Sequence, residues 1–403
     1  MPSDDVIVVG AGPVGLVTAY GLARAGLTVT VLEAQHDVID SPRAMVYHWP
    51  LLEDLDRLGL LAEIDRRGFR KDDYGYRVHA TGEMITYNLD LLAGETRFPY
   101  NIHLGQDDLC TIVLEALESL GNATIRWGTL VRALHQDADT VRVTVETGDG
   151  EELHDGSWLI GADGARSTVR RLLAMPFDGM TWPLRFVATN VLYDFGAHGY
   201  TRSVFLMDDV HGAVIAKINK RDLWRVTYSE QLSEPEDQIG DRVAEHFAAI
   251  LPDDGPYELE RYSGYHLHQR AAERMRVGRV LLAGDAAHAT NPTGGFGLAS
   301  GLCDAFALID TLAAVGALGA DPELLDDWAQ ERRRIFLDIA SPAATRMKQT
   351  VYDADPGTGH ETIEGLRRMI ADPAALRERV TFPAKLKSSA PAVSGRLGRP
   401  GGA

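Results

Sequence analysis

The chain has 403 residues, enough for two or three domains. Hydrophobic residues make up 45% of it and charged residues 24%, which is typical of an ordinary globular protein. The formal charge of −18, from 40 basic and 58 acidic residues, argues against nucleic acid or an anionic membrane as partner, because both demand a basic surface. Cys110 and Cys303 allow no disulfide framework, which indicates a reducing compartment. We expect a cytoplasmic protein without signal peptide or membrane span.

The first predicted element is a buried parallel strand at 5–9, followed at once by the turn Gly10-Ala-Gly12-Pro-Val-Gly15 and a helix at 16–25. A second strand, 28–32, ends in Glu33. The glycines let the backbone approach a pyrophosphate, the helix start offers amide donors, and Glu33 can accept bonds from ribose hydroxyls. This pattern predicts dinucleotide binding; the alternative is a glycine-tolerant turn in another βαβ unit.

The next segments predict a helix at 46–61, a hairpin at 76–87, a strand at 100–104 and a helix at 106–120. Strands follow at 124–127, 130–134, 141–147 and 153–160. A second Asp-Gly turn, at Asp163 and Gly164, opens a basic helix at 168–173.

The section from 176 to 269 is rich in β-branched and aromatic residues. It predicts strands at 185–194, 202–207, 212–218, 223–229 and 260–268, with one helix at 235–250. We interpret it as a mixed or antiparallel sheet, a domain inserted between halves of the nucleotide-binding domain.

The stretch from Val277 to Ala305 combines a buried strand at 280–283, the pair Gly284-Asp285, a glycine-dense turn at 290–297 and a small-residue helix. Glycines on both sides of one acid suggest a backbone lying against a ligand, with Asp285 bonding a hydroxylated chain. An ordinary strand–loop–helix crossover is the alternative. Helices are predicted at 306–315 and 323–336, and the stretch 388–403 is expected to be disordered.

Three motifs in this order (VVGAGPVG with VLE, GADGARSTVR, and LLAGDAAH…PTGGFGL…G..DA) resemble the flavoprotein aromatic hydroxylases of the para-hydroxybenzoate hydroxylase type, over about residues 6–336. The resemblance implies an α/β fold: a Rossmann-like, three-layer FAD-binding domain, an inserted mixed β-sheet substrate domain and a C-terminal helical tail. The domains would comprise 1–75, 100–175 and 270–340 for FAD, 76–99 and 176–269 for substrate, and 341–403 for C-terminal helices and a disordered tail.

The resemblance also implies non-covalent FAD and a set of contacts carried by matching positions. Gly12 and its neighbours would hold the pyrophosphate, Glu33 the ribose and Asp285 the ribityl chain. Asp163 would belong to a motif touching FAD and the nicotinamide nucleotide, and Leu298 and Ala299 would offer N–H groups near the pyrimidine edge. The full expected set is Gly10, Gly12, Pro13, Val14, Gly15, Glu33, Ala34, Arg43, Gln106, Val131, Asp163, Gly284, Asp285, Pro292, Gly295, Gly297, Leu298 and Ala299.

The substrate side is less defined. Pro292 matches a proline whose carbonyl faces the substrate in relatives, whereas Asn291 and Ala299 stand where proline and asparagine are frequent. Strand alternation puts Trp224, Val226 and Tyr228 on one face and Leu223, Arg225 and Thr227 on the other, and either set could line the pocket. We take Trp224 and Tyr228 as tentative substrate contacts. His266 and His268 also share a face of their strand. The sequence identifies no catalytic base, metal site or nucleophile elbow.

The implied reaction is that of an NAD(P)H-dependent monooxygenase. NADH or NADPH would reduce the flavin, O₂ would form a C4a-hydroperoxide, and one oxygen would pass to a small phenolic or heteroaromatic ring. A reductase or dehydrogenase of the same fold and a non-catalytic flavin-binding protein are the alternatives. A monomer and a homodimer are both compatible with the sequence.

Overall fold

The computed structural model describes residues 4–38, 44–353 and 356–388. Its strands β1 to β19 are, in chain order, Asp4–Val9, Val29–Leu32, Val46–Tyr47, Phe69–Lys71, Asp73–Val78, Met84–Asn88, Asn101–His103, Ala123–Arg126, Leu130–Gln136, Val141–Thr147, Gly150–Gly161, Phe177–Leu192, Ser203–Met207, Ala213–Lys217, Leu223–Gln231, Glu258–Ala272, Arg276–Val277, Val280–Leu282 and His288–Ala289. Its helices α1 to α11 are Pro13–Arg24, Trp49–Arg57, Leu61–Arg67, Gln106–Glu118, Thr168–Leu172, Ile239–Ile250, Phe296–Leu318, Leu324–Ile335, Ser341–Tyr352, Pro356–Ala371 and Pro373–Thr381. The predicted α/β class is confirmed.

The first sheet carries the N-terminal glycine turn. Its strand order is β17-β18-β11-β1-β2-β8, and β1 pairs in parallel with β2 and β11. Val6, Ile7 and Val8 have no exposed surface, as expected for a parallel strand covered on both faces. Helices α1 and α7 pack against each other beside this sheet. The carboxyl ends of β1, β11 and β18 therefore bring all three predicted motifs together.

The second sheet has the order β19-β16-β12-β15-β14-β13-β5-β6. Helix α6 covers one of its faces through a hydrophobic cluster that includes Val243 and Phe247. The other face contributes Phe186 and Phe205 to the core that it shares with the first sheet. Strand β19 belongs to the chain segment of the third motif and pairs with β16, so it joins the two halves. A small third sheet has the order β3-β7-β4.

The domain limits drawn from the sequence stay a prediction. The strands of the second sheet come from 73–88, 177–231, 258–272 and 288–289, so the last of them lies beyond the predicted substrate segments. Helices α9 to α11 occupy the predicted C-terminal helical region. The predicted disordered stretch lies, apart from Ser388, outside the described residues.

Two element predictions were wrong. The segment 46–61 is not one helix, because it starts with β3 and α2 begins only at Trp49. Helix α2 ends at Arg57, and Gly59 then turns the chain with a φ of +78°. In contrast, the two helices expected on either side of residue 305 are one helix of 23 residues, α7. Helix α7 ends at Leu318, and its C-cap is Gly319, which has a φ of +68°.

Helix α7 is long and apolar enough to cross a membrane by length and composition alone, with a mean hydropathy of 1.6. However, 61% of its most apolar window is buried inside the protein, where α1 and α8 pack against it. A helix that is apolar all round suits the core of a large protein as well as a bilayer. Here its apolar surface is used for internal packing.

Buried histidines make acid stability a testable property of this fold. Burial lowers the pKa of His103 to about 3 and that of His246 to about 4, from an ordinary value of 6.5. At a pH between the lowered values and 6.5, these histidines are protonated in the unfolded chain but neutral in the folded chain. The free energy of unfolding therefore falls as the pH drops below about 6.5. We expect thermal unfolding midpoints of the holoprotein to decrease progressively from pH 7 to pH 5.

His103→Asn should reduce this decrease, because the group that gains a proton on unfolding is gone. His266→Asn is the matched control, since His266 is exposed, and it should keep the parent pH dependence. An identical pH dependence in His103→Asn and the parent protein would contradict the assignment.

Candidate active site

The turn between β1 and α1 has two packed glycines and one open glycine. Gly10 has a φ of +107°, and a Cβ there would lie 2.5 Å from the Ala162 carbonyl oxygen. A Cβ on Gly15 would collide with the Gly10 carbonyl. A Cβ on Gly12, however, meets no heavy atom of the described residues within 4 Å. Gly10 and Gly15 therefore serve protein packing, whereas Gly12 leaves space that a diphosphate can fill.

Helix α1 starts at this turn with open backbone donors. Its N-cap is Gly12, no side chain of the described residues caps it, and Pro13 has no N–H to satisfy. The remaining first-turn amides and the helix dipole favour an anion. Val14 packs this turn onto the third motif, because a Cβ on Gly284 or Gly301 would lie 2.9 or 2.7 Å from a Val14 methyl. The contacts of the turn thus fit the diphosphate of FAD.

Glu33 follows β2, and its carboxylate supports the glycine turn. Its Oε2 accepts a hydrogen bond from the Ala11 N–H at 2.7 Å. Its carbonyl accepts from the Thr129 N–H at 2.8 Å, which brings the start of β9 alongside. Ala34 is exposed in this corner and Val131 is buried in β9. The cofactor contacts expected of Glu33, Ala34 and Val131 stay predictions.

Asp163, in the second motif, caps helix α5. Its Oδ1 accepts from the Ser167 hydroxyl at 2.6 Å, and its Oδ2 accepts from the Thr168 N–H at 2.6 Å. Arg170 of the same helix donates to the Ala286 carbonyl at 2.8 Å. The second motif therefore supports the Asp285 turn of the third. The nucleotide contact expected of Asp163 stays a prediction beside this structural role.

The third motif is held by Asp304, a fully buried carboxylate on α7. Its Oδ2 accepts from the Gly284 N–H at 3.0 Å and from His288 Nε2 at 2.7 Å, and its Oδ1 accepts from Arg332 Nε at 2.8 Å. Burial alone would raise the pKa of Asp304, but the charges of His288 and Arg332 hold it below its ordinary value. Asp285, next to Gly284, is exposed at the surface of the turn.

Arg332 extends this network to the end of the described chain. One nitrogen, Nη1, donates to the Leu386 carbonyl at 2.7 Å, and Nη2 donates to the Ser300 carbonyl at 3.3 Å. Sequence reasoning assigned no role to Asp304, His288 or Arg332. Asp304 and His288 lie in the third motif, and Arg332 lies in the predicted helix at 323–336. Only the folded chain brings the three residues into contact.

The loop after β19 is fixed by one glutamine side chain. Gln269 Oε1 accepts from the Asn291 N–H at 3.2 Å, and its Nε2 donates to the Ser341 carbonyl at 3.1 Å. The Thr290 hydroxyl lies within 2.9 Å of the same Nε2. Asn291 is fully buried and also donates to Gln269 through Nδ2 at 3.2 Å. An asparagine replaces the proline frequent at this position, and its amide bonds help to hold the loop.

The same loop leads into α7. The Pro292 carbonyl accepts from the Gly295 N–H at 2.9 Å, and Pro292 itself is exposed. Gly295 has a φ of +73° and is the N-cap of α7, and within the described part of the chain no side chain caps this helix. Gly297, Leu298 and Ala299 form the first turn of that helix. The start of a helix leaves backbone N–H groups without intrahelical partners, and the flavin contacts expected of Leu298 and Ala299 stay predictions.

The predicted alternation of β15 is confirmed, but the tentative substrate assignment is corrected. Trp224 and Tyr228 are buried against α6, on the face away from the first sheet. Tyr228 stacks on His246 with ring centroids 3.8 Å apart. Across the strand, Thr227 faces the shared core, where its carbonyl accepts from the Tyr352 hydroxyl at 2.9 Å. The two aromatic side chains therefore support the sheet and do not line the site.

Four sequence candidates remain, namely Gln106, Arg43, His266 and His268. Gln106 is the first residue of α4 and is half-buried. Arg43 lies outside the described residues. His266 is exposed, and His268 Nδ1 lies 2.9 Å from the Thr181 hydroxyl, so this pair is not gathered around the Pro292 loop.

The chain is similar to known proteins in both sequence and structure. A family model described as FAD binding domain matches residues 3–341. A 6-hydroxy-3-succinoylpyridine 3-monooxygenase from Pseudomonas putida (strain DSM 28022 / S16) is 43% identical over 385 residues, 95% of this chain and 98% of the relative. A para-nitrophenol 4-monooxygenase from Pseudomonas sp. (strain WBC-3) is 43% identical over 88% of each chain. The crystal structure of a p-nitrophenol 4-monooxygenase from Pseudomonas putida DLL-E4 matches with a TM-score of 0.93 and 40% identity, over 96% of this chain and 99% of that chain.

Gly12→Val tests whether the space at Gly12 holds the diphosphate. The valine Cβ meets no atom of the described residues, but the side chain fills the space assigned to the diphosphate. We therefore expect FAD affinity to fall by about 3 kcal/mol, or about a hundredfold. Titration of apoprotein with FAD, followed by flavin fluorescence, measures the affinity. Gly121→Val is the control, because its Cβ also meets nothing within 4 Å and it lies away from the turn. Unchanged affinity in Gly12→Val would refute the assignment.

Asp304→Asn tests the buried network. Removing the charge leaves Arg332 buried without its counter-ion, which costs about 3–5 kcal/mol of folding free energy. Asp310→Asn on the same helix is the control, because its pair with Arg57 at 2.7 Å is partly exposed and contributes about 1 kcal/mol. Urea unfolding of both holoprotein variants provides the comparison. Equal losses in the two variants would show that Asp304 has no special structural role.

Proposed function

The chain belongs to the FAD-binding family of aromatic monooxygenases, and from this premise we propose that it hydroxylates a small phenolic or hydroxypyridine ring with O₂ and NADH or NADPH. The observation that carries the proposal is the meeting of three motifs around the open space at Gly12. The two relatives that match nearly full length support the substrate class, since their names specify a hydroxypyridine and a nitrophenol. A cytoplasmic location belongs to the same proposal.

The site residues divide the work of holding FAD. In this proposal Gly12 and the start of α1 bind the diphosphate, Glu33 binds the adenosine ribose, and Asp285 binds the ribityl chain. The first turn of α7, at Leu298 and Ala299, offers N–H donors to the pyrimidine edge. When bound, FAD supplies the redox chemistry that activates O₂. The protein therefore has to bind, orient and desolvate the reactants.

Water exclusion comes from the packing between the two sheets. Phe186 and Phe205 of the second sheet join the core of the first, and Tyr352 of α9 is buried beneath the same face. The loop that Gln269 holds presents Pro292 at the edge of this packed region. In this proposal the packed, largely apolar region beside the loop limits solvent access to a reactive oxygen species.

A direct assay tests the activity. The purified protein should show a flavin absorbance spectrum, and nitrophenols or hydroxypyridines should stimulate NADH or NADPH oxidation with stoichiometric O₂ uptake. Mass spectrometry should find a product heavier by one oxygen atom. Stimulated oxidation without oxygenated product from any ring would instead favour a reductase, and protein that binds no flavin even after reconstitution would refute the proposal.

A further inference from the structure

His48 stands where the small third sheet meets the loop after β19. It follows β3, and its side chain is only 7% exposed. Its Nε2 lies 3.0 Å from the Gly294 carbonyl oxygen. Its ring also stacks on Phe296, the first residue of α7, with centroids 5.8 Å apart. His48 therefore contacts both the Pro292 loop and the start of the helix assigned to the flavin edge.

The bond to Gly294 determines which ring nitrogen carries the proton. A carbonyl oxygen can only accept, so Nε2 must be the donor. Burial lowers the pKa of His48 to about 4, so the imidazole is neutral near pH 7. In that neutral tautomer Nδ1 has a free lone pair. Among the described residues, no protein group donates a hydrogen bond to it.

The charges around His48 favour an electron-rich oxygen as its neighbour. Arg379, on α11, donates to the Tyr76 hydroxyl at 3.0 Å, and among the described residues the structure pairs it with no carboxylate. Lys71, on β4, is fully buried with its Nζ over the Tyr74 ring. Burial lowers the pKa of Lys71 well below its ordinary value, and Arg379 acts electrostatically on His48. An oxygen that gains negative character beside His48 would be stabilised by the Arg379 charge.

We propose that His48 Nδ1 accepts a hydrogen bond from the ring hydroxyl of the substrate, so that His48 selects hydroxylated rings. This inference rests on the proposed function and assigns a substrate contact that the sequence left open. The acceptor polarises the O–H bond and raises the electron density of the ring, which assists attack on an electrophilic oxygen. The Gly294 carbonyl holds His48 in the required tautomer, and the same bond restrains the loop.

Ligand pairs that differ only at the hydroxyl test this contact. Calorimetry on the holoprotein, without NADH, should compare 4-nitrophenol with 4-nitroanisole at a pH where the phenol is protonated. For pyridines the pair is 3-hydroxypyridine and 3-methoxypyridine. Wild-type protein should bind the hydroxylated member about tenfold more tightly, the scale of one hydrogen bond. Flavin content, read from the visible spectrum, reports on folding.

Two substitutions separate the contact from a structural role. His48→Phe keeps a ring against Phe296 but has no nitrogen, so the preference for the hydroxyl should fall to about onefold. His48→Gln has both a donor for Gly294 and an acceptor, and it should restore part of the preference. His266→Ala, at an exposed position of β16, is the control and should leave the preference unchanged.

Each outcome decides a different question. If wild-type protein binds the hydroxylated ring and turns it over but shows no preference over the methyl ether, the His48 assignment is overturned and the activity stands. An unchanged preference in His48→Phe overturns it as well, as does an equal loss of affinity for both ligands in His48→Phe and His48→Gln. If wild-type protein neither binds nor oxygenates any of these rings, the proposed function fails and the inference with it.

Discussion

A single buried carboxylate, Asp304, holds the candidate site together. It joins the Gly284 turn, the ring of His288 and the guanidinium of Arg332, and Arg332 in turn binds the Leu386 carbonyl. A carboxylate with no exposed surface is stable only while its partners remain in place, because an uncompensated buried charge is strongly unfavourable. The Gly284 turn, the core helix α7 and the last described turn of the chain therefore depend on one another.

The loop at Pro292 depends on a connection between the two sheets. Strand β19, in the third motif, pairs with β16. Gln269 and His48 bind the loop that follows, and Ser341 accepts a hydrogen bond from Gln269. A loop with several glycines has many accessible conformations when it is free, so these bonds are needed to restrict it. Three segments that are separate in the sequence thus restrain one short loop. One of its polar partners is His48, whose Nδ1 accepts no hydrogen bond from the described residues.

The same acidic and aromatic residues can serve a ligand or the protein itself, and this limits what their presence can predict. Asp163 matched a nucleotide-contacting motif, but its carboxylate caps helix α5. Trp224 and Tyr228 were placed correctly on one face of β15, but α6 covers that face. Large aromatic side chains suit a core and a binding pocket equally well. The correct face became evident only when the element packed against it was known.

The sequence by itself determined the α/β class, most strands and helices, and the glycine turn with its acid, because these depend on local periodicity and on contacts within about 30 residues. It also supported the family through the order of three motifs. Only the tertiary structure decided that Gly12 is open while Gly10 and Gly15 are packed, and that Asp304 binds both His288 and Arg332. Both results depend on atoms that distant segments bring within a few ångströms, and neither spacing nor composition encodes such distances.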